Sequence, residues 1–352
     1  MGGQPCKSTA TMTRHPKRLK LIQTVKISQE AVRIQSLGDE LVGILFRPET
    51  ETPAPVVIVC HGAGEFKENY FELCELLATR GVAALALDLH GHGESAGERF
   101  CVHIHEWVAD VQAAIGFLTT HPKIDGNWIG AFGLSSGGTA ILEAAVVDPR
   151  LKVLVALDAT VRNSLPLPMT LFLKLLIFVG GIKKRLTNQQ WRLPLAKMGG
   201  LDLASDPEIN RRITTDPKGL AAFMAFPFPG GAEAFFVDTL HRVSRITAPT
   251  LVLWGEDDKL DPPQTACLLY AALTCPKALH IIPGNGHVGH LDRHKAKVFA
   301  LTTDWVLQNL TGPLVAERDV AGALQNGYQD HRGASRPEFR SERKVGVTVT
   351  VS

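Results

Sequence analysis

"WIGAFGLSSGGTAILEAAVV", residues 128–147, joins an apolar run of strand length to a segment of helical period through the turn Gly133-Leu134-Ser135-Ser136-Gly137. That turn fits the pattern G-x-S-x-G centred on Ser135, in the strand-to-helix context that gives the pattern physical meaning. A bare match would carry little weight in a chain with 32 glycines. Here, small residues two positions either side of the serine let strand and helix approach closely, and a sharp turn lifts the side chain above the sheet. Ser135 then stands at a helix N-terminus, where backbone N–H groups and the helix dipole favour developing negative charge. Ser136 has a different expected role. Its N–H follows the nucleophile and serves as an oxyanion donor, while its side chain does no more than cap the helix.

Outward from this turn, apolar runs alternate with helical segments, the βαβ rhythm of a mostly parallel sheet. "AVRIQSLGDELVGILFRP" (31–48) reads as an antiparallel hairpin around Gly38. "PVVIVC" (55–60), "AALALD" (83–88), "WIGAFG" (128–133), "KVLVALD" (152–158), "TLVLWG" (250–255) and "ALHIIPG" (278–284) read as strands buried on both faces. Helices are expected at 67–80, 103–119, 136–147, 263–273 and 294–309. The rhythm breaks once, because no buried strand is expected between Asp158 and Thr247. The expected organisation is therefore an N-terminal tail (1–28), a first core part (29–160), a helical cap or lid insertion (161–245), a second core part (246–311) and a C-terminal tail (312–352) read as disordered. Within the last, "VGVTVTVS" (345–352) alternates like a strand without an evident partner.

The insertion opens with "LPLPMTLFLKLLIFVGG" (165–181), broken by prolines and Lys174 and too short for a transmembrane helix. A lid helix with an apolar underside is the first reading, an ordinary cap core helix the second, and a weak membrane-surface contact through 165–182 the third. The composition, 45% hydrophobic and 20% charged with a net charge of +2, gives no reason to expect nucleic acid as a partner. The six cysteines lack C-x-x-C pairs and read as reduced structural residues, which suits a cytoplasmic location, and no secretory signal is visible. "MGGQPCKS" comes near a myristoylation pattern but has Cys6 where Ser or Thr is required.

A serine hydroxyl is a weak nucleophile near neutral pH and needs a base within reach and an acid to orient that base. "EDDKLDPP" follows one candidate strand and "NGHVGH" a later one, giving the chain order Ser, Asp, His. Asp258, three residues after Gly255, is the leading acid, ahead of Asp257 and Asp261, with Asp158 at another strand end as a rival. His287, after a short Gly-rich turn, is preferred to His290 as the base. The loop His61-Gly62-Ala63-Gly64-Glu65 offers the Ala63 N–H as the second oxyanion donor, with His61 read as structural.

With "HGAGE" (61–65), "DLHGHGESAGE" (88–98), "GLSSGG" (133–138), "GEDDKLD" (255–261) and "GNGHVGH" (284–290), the chain over residues 31–311 resembles the α/β-hydrolases, and among them the monoacylglycerol lipase and lysophospholipase-like serine hydrolases of the serine aminopeptidase S33 type. The resemblance implies the α/β-hydrolase fold, a structural role for the "GHGES" turn, Ser135 as nucleophile, Asp258 as acid, His287 as base, and Ala63 and Ser136 as oxyanion donors. One departure concerns the serine's neighbours: Leu134 and Ser136 stand where many of these lipases carry His and Met. The expected activity is hydrolysis of a small-molecule acyl ester through an acyl-enzyme, without metal or cofactor. A thioesterase or acyltransferase, a proline-directed aminopeptidase and a non-catalytic binding module are the alternatives.

Overall fold

The computed structural model describes residues 26–194 and 202–310. The expected tails lie outside these residues, apart from the last three positions of the first, where a strand has already begun at Ile27. Chain order gives the hairpin β1 (Ile27–Ser36) and β2 (Asp39–Pro48), then β3 (Ala54–Cys60), α1 (Phe71–Thr79), β4 (Ala83–Leu87), α2 (Ile104–Thr120), β5 (Ile124–Leu134), α3 (Ser135–Val147) and β6 (Leu151–Leu157). The insertion contributes α4 (Leu167–Thr187), β7 (Trp191–Leu193), α5 (Pro207–Thr215), α6 (Pro217–Met224) and β8 (Phe226–Phe228). The core closes with β9 (Thr250–Gly255), α7 (Pro263–Ala272), β10 (Lys277–Ile282) and α8 (Lys295–Leu310).

Eight strands form one sheet in the order β1-β2-β4-β3-β5-β6-β9-β10. Within this sheet β1 with β2 and β2 with β4 pair antiparallel, and the remaining pairs are parallel. The near-continuous apolar runs follow from burial on both faces: along β3, Val56, Ile58 and Cys60 join one core cluster while Val57 and Val59 join the other. Trp107 and Val111 of α2 and Ile141 of α3 cover the first face, and Leu73 and Leu77 of α1 and Val298 of α8 cover the second. Ile58 is fully buried, and its truncation to Ala would cost about 2–5 kcal/mol.

The sheet order positions the site. Strand β3 lies between β4 and β5, so the crossovers around it leave in opposite directions and open a crevice at the carboxyl ends of the strands. The loops after β3, β5, β6, β9 and β10 leave that edge from five consecutive strands.

The insertion connects β6 to β9, which are neighbours in the sheet. It is less uniformly helical than expected, because β7 and β8 pair as a short antiparallel ribbon, Trp191 against Phe228. Phe228 supplies the reason: it is fully buried and packs with Leu176 of α4 and Ala232 as a small separate core. Helix α4 ends at Asn188 in the left-handed conformation, with Lys184 and Arg185 in the last turn, where cations suit the carbonyl end. Its inner residues Met169, Phe172, Leu173 and Leu176 line a cavity. Its outer residues Leu167, Leu171, Leu175, Phe178, Ile182 and Leu186, spaced by three or four positions, are exposed. The first face lines the cavity and the second faces outward.

Candidate active site

Residue 135 begins α3 with φ of 51°, a left-handed backbone that a non-glycine residue adopts at a cost of about 1–3 kcal/mol. The flanking glycines make the turn possible by close approach. A Cβ at Gly133 would lie 2.4 Å from the Gly137 carbonyl oxygen, and a Cβ at Gly137 would lie 2.3 Å from that of His61. Gly137 therefore presses the elbow against the loop after β3, bringing Ser135 and Ala63 into the lining of one cavity. The cavity measures about 930 Å³, at the upper end of ordinary ligand sites, and Ser136 and His287 line it too. Ser136 N–H is one of the first-turn donors that a helix leaves unpaired. Its side chain does not cap α3 as expected. Leu134 occupies the cap position, and no side-chain capping bond forms there.

Of the acids, Asp258 is the one joined to the histidine. Its Oδ2 lies 2.8 Å from His287 Nδ1, while its Oδ1 accepts the N–H groups of Leu260 at 2.8 Å and Asp261 at 2.9 Å. The carboxylate accepts, so Nδ1 carries a proton, and in the neutral ring Nε2 keeps its lone pair. Burial alone would lower the His287 pKa; the adjoining Asp258, with Asp261 and Asp158 behind it, outweighs burial and raises it.

The rivals have other partners. Asp257 accepts from Ser205 at 3.0 Å. Asp158 accepts the Gly255 N–H at 2.7 Å and so ties the end of β6 to the end of β9. Burial, reinforced by Asp258, pushes the Asp158 carboxyl well above the usual range. His290 stacks on Tyr70 with ring centroids 4.4 Å apart. His61 holds the loop backbone, as expected: Nδ1 donates to the Gly62 carbonyl at 2.8 Å and Nε2 accepts the Leu89 N–H at 3.0 Å.

Three features escaped the sequence reading. First, His92 in "GHGES" does more than shape its own turn. Its Nδ1 donates to the His90 carbonyl at 3.0 Å, leaving Nε2 to accept the Gly64 N–H at 3.1 Å. Burial holds this ring at about 3, so it stays the neutral acceptor that the bond needs. Second, Glu65 accepts from Tyr70 at 2.5 Å and from the Gly62 N–H at 3.2 Å, pinning the other end of the same loop. Burial would raise that carboxyl, but the facing His290 ring and these bonds hold it at about 2. Third, Thr160, two positions past Asp158, reaches Ser135: its Oγ1 lies 3.3 Å from the serine Oγ. Its place at the end of the strand next to β5 was the available signal. Among the described residues, no group of three or more His, Cys, Asp or Glu side chains is arranged to hold a metal ion.

Similarity to known proteins agrees with this architecture. Monoacylglycerol lipase from Mycolicibacterium smegmatis is 24% identical over 282 residues, covering 78% of this chain and 95% of the relative. Human monoglyceride lipase is 29% identical over 274 residues, covering 74% and 84%. Among solved structures, the hypothetical protein PA2218 from Pseudomonas aeruginosa superposes with a TM-score of 0.69 at 21% identity, covering 83% of this chain and 96% of that one. Monoacylglycerol lipase from Paleococcus ferrophilus superposes with a TM-score of 0.60 at 24% identity, covering 76% and 98%. At those identities the structures speak for the fold alone. Residues 51–294 match the model of the serine aminopeptidase S33 family, and the chain belongs to that family of α/β-hydrolases.

Proposed function

We propose that the chain is a serine hydrolase cleaving carboxylic esters with an apolar acyl group, using Ser135 as nucleophile, His287 as base and Asp258 as the acid that orients it. The observation that carries this reading is the meeting, in one cavity, of a serine on a positive-φ elbow and a histidine whose Nδ1 lies 2.8 Å from a carboxylate. The monoacylglycerol and monoglyceride lipase relatives favour an ester over other acyl substrates.

In the first step His287 Nε2 takes the Ser135 proton and Oγ attacks the ester carbonyl carbon. The N–H groups of Ala63 and Ser136 donate to the oxygen that becomes negative. His287 then returns the proton to the departing alcohol, leaving the acyl group on Ser135. A water deprotonated by His287 attacks the acyl carbon, and the acid leaves as the serine is reprotonated. The apolar inner face of α4, with Met169, Phe172 and Leu176, gives the acyl chain its place.

The exposed outer stripe of α4 supports a weak contact with lipid surfaces, from which such a substrate would be drawn. No helix among the described residues is long and apolar enough to cross a membrane. The buried thiols of Cys60, Cys74, Cys101 and Cys275 fit a reducing, cytoplasmic setting.

A fluorophosphonate probe tests the nucleophile: it labels the wild type and not Ser135→Ala, and labelling retained in that variant overturns the assignment. A panel of esters, thioesters and aminoacyl amides graded by acyl length tests the substrate class. Preference for the amides would favour the aminopeptidase alternative instead.

A further inference from the structure

The side-chain partner of the Ser135 hydroxyl is Thr160. Thr160 is clamped to the elbow by its backbone: its N–H donates to the Ser135 carbonyl at 3.3 Å, and its own carbonyl accepts from the Thr139 hydroxyl. Its Oγ1 is thereby held 3.3 Å from Ser135 Oγ and donates to Asp261 Oδ2 at 2.7 Å. Thr160 is 5% exposed and Asp261 2%, so bulk water does not compete freely for either group. Asp261 is fixed in turn, since its N–H donates to Asp258 at 2.9 Å and its carbonyl accepts from the Trp254 indole at 2.7 Å.

We propose that Thr160 is a positioning residue for the nucleophile and that Asp261, acting through the Thr160 hydroxyl, decides which way the Ser135 hydroxyl points. This inference rests on Ser135 being the nucleophile. A hydroxyl has one proton to give. With Asp261 ionised, Thr160 spends that proton on the carboxylate, and its oxygen can only accept from Ser135. The serine proton is then turned towards Thr160 and away from His287 Nε2. With Asp261 protonated, the carboxyl donates to Thr160, Thr160 donates to Ser135 Oγ, and the serine proton is free for His287 in the fraction of molecules whose ring is neutral. The two hydroxyls reverse their hydrogen bonds as Asp261 gains or loses one proton to solvent, and each hydroxyl keeps its own proton.

The charged and titratable groups facing Asp261 are Asp258 on its own loop, His287 on the loop after β10 and Asp158 on the loop after β6. Burial, helped by Asp258 and opposed by His287 and the Thr160 bond, raises the Asp261 carboxyl to about 6. The reversal therefore falls below the His287 transition, raised to about 10, so labelling there runs through the small neutral fraction of His287 and is read as a ratio between variants at the same pH.

The test measures the rate constant of fluorophosphonate labelling of the full chain as a function of pH, and reads the ratio of Thr160→Val to wild type. Titrations common to both proteins cancel in that ratio. The expected ratio is near one on the acid side of the Asp261 transition and rises on the order of two- to tenfold on the alkaline side, as a competing hydrogen bond is removed. In an Asp261→Asn background the Thr160→Val ratio is flat with pH, and Thr160→Ser, which restores the hydroxyl, restores the wild-type profile. A flat ratio in the Asp261 background of the wild type, a ratio below one throughout, or a step that survives Asp261→Asn overturns the proposal. Should Thr160→Val fail to fold, the ratio of Asp261→Asn to wild type reads the same step, and a flat ratio there overturns the proposal equally. Ser135→Ala is run alongside. Labelling of that variant would sink the nucleophile assignment itself, an outcome distinct from any result at Thr160.

Discussion

The loops at the carboxyl edge of the sheet and the insertion above them line the same cavity but are held in different ways. In the loops, polar atoms meet fixed partners: Asp258 with His287 at 2.8 Å, His61 with Gly62 at 2.8 Å and His92 with Gly64 at 3.1 Å. In the insertion, α4 buries Leu176 against Phe228 and leaves much of its remaining apolar surface open, with Phe178 67% and Leu186 79% exposed. The first arrangement suits chemistry, which tolerates little displacement of reacting groups. The second suits contact with something apolar outside the molecule, since a contiguous exposed stripe has a cost in water that scattered apolar residues do not.

The sharpest way to break this comparison lies in the loops. Ser135→Ala is expected to lower kcat on a short soluble ester by about 10⁴-fold or more. Ser136→Ala should stay within about tenfold of wild type, because only its backbone N–H is asked to act. Comparable losses in both would mean that the roles of the two serines are wrongly divided.

Asp258→Asn is expected to cost about 10⁴-fold in kcat through loss of the orienting carboxylate. It also moves the pH profile in a definite direction. The wild-type His287 pKa is raised, so activity through the neutral base grows with pH above the ordinary histidine range. With the main raising charge gone, burial dominates, and the acid limb of kcat/KM should shift to lower pH. An acid limb that moves upward, or not at all, would mean that Asp258 does not govern His287.

On the outer face of α4, replacing Leu171 and Phe178 by Ser should weaken binding to phospholipid vesicles on the order of tenfold per residue, judged from the apolar area each would bury. Turnover of a short soluble ester should change by no more than about twofold, and stability by about 0.5 kcal/mol or less. Unchanged vesicle binding would remove the membrane reading of α4.

The smallest effect is expected at Asp158, close to the same histidine. Burial raises its carboxyl well above the usual range, towards the neutral form that Asn mimics, and it accepts the Gly255 N–H, a bond that Asp158→Asn preserves. kcat/KM within about threefold of wild type is expected, since an isosteric neutral acceptor leaves the contact intact. A loss approaching that of Asp258→Asn would show that Asp158 works as an ionised acid after all.

The fold was legible because it is written in local patterns. Runs such as "PVVIVC" and "TLVLWG" are apolar at every position since both sheet faces are covered, and Gly133 and Gly137 are small because carbonyl oxygens stand where their Cβ atoms would be. The chain order of Ser135, Asp258 and His287 could also be read from strand ends. The short ribbon Trp191–Leu193 with Phe226–Phe228 could not, since pairs that far apart in sequence leave no local period.

What the sequence by itself determined was the α/β rhythm, the elbow around Ser135 and the small set of acids and histidines from which a triad could be drawn. Only the tertiary structure divided the work among them. Asp158, Asp258 and Asp261 are alike in sequence, but one ties two strands together, one meets His287 and one meets Thr160. The reason is physical: the state and role of a carboxyl depend on burial and on the donors that reach it, and those donors come from strands adjacent in the sheet but distant along the chain.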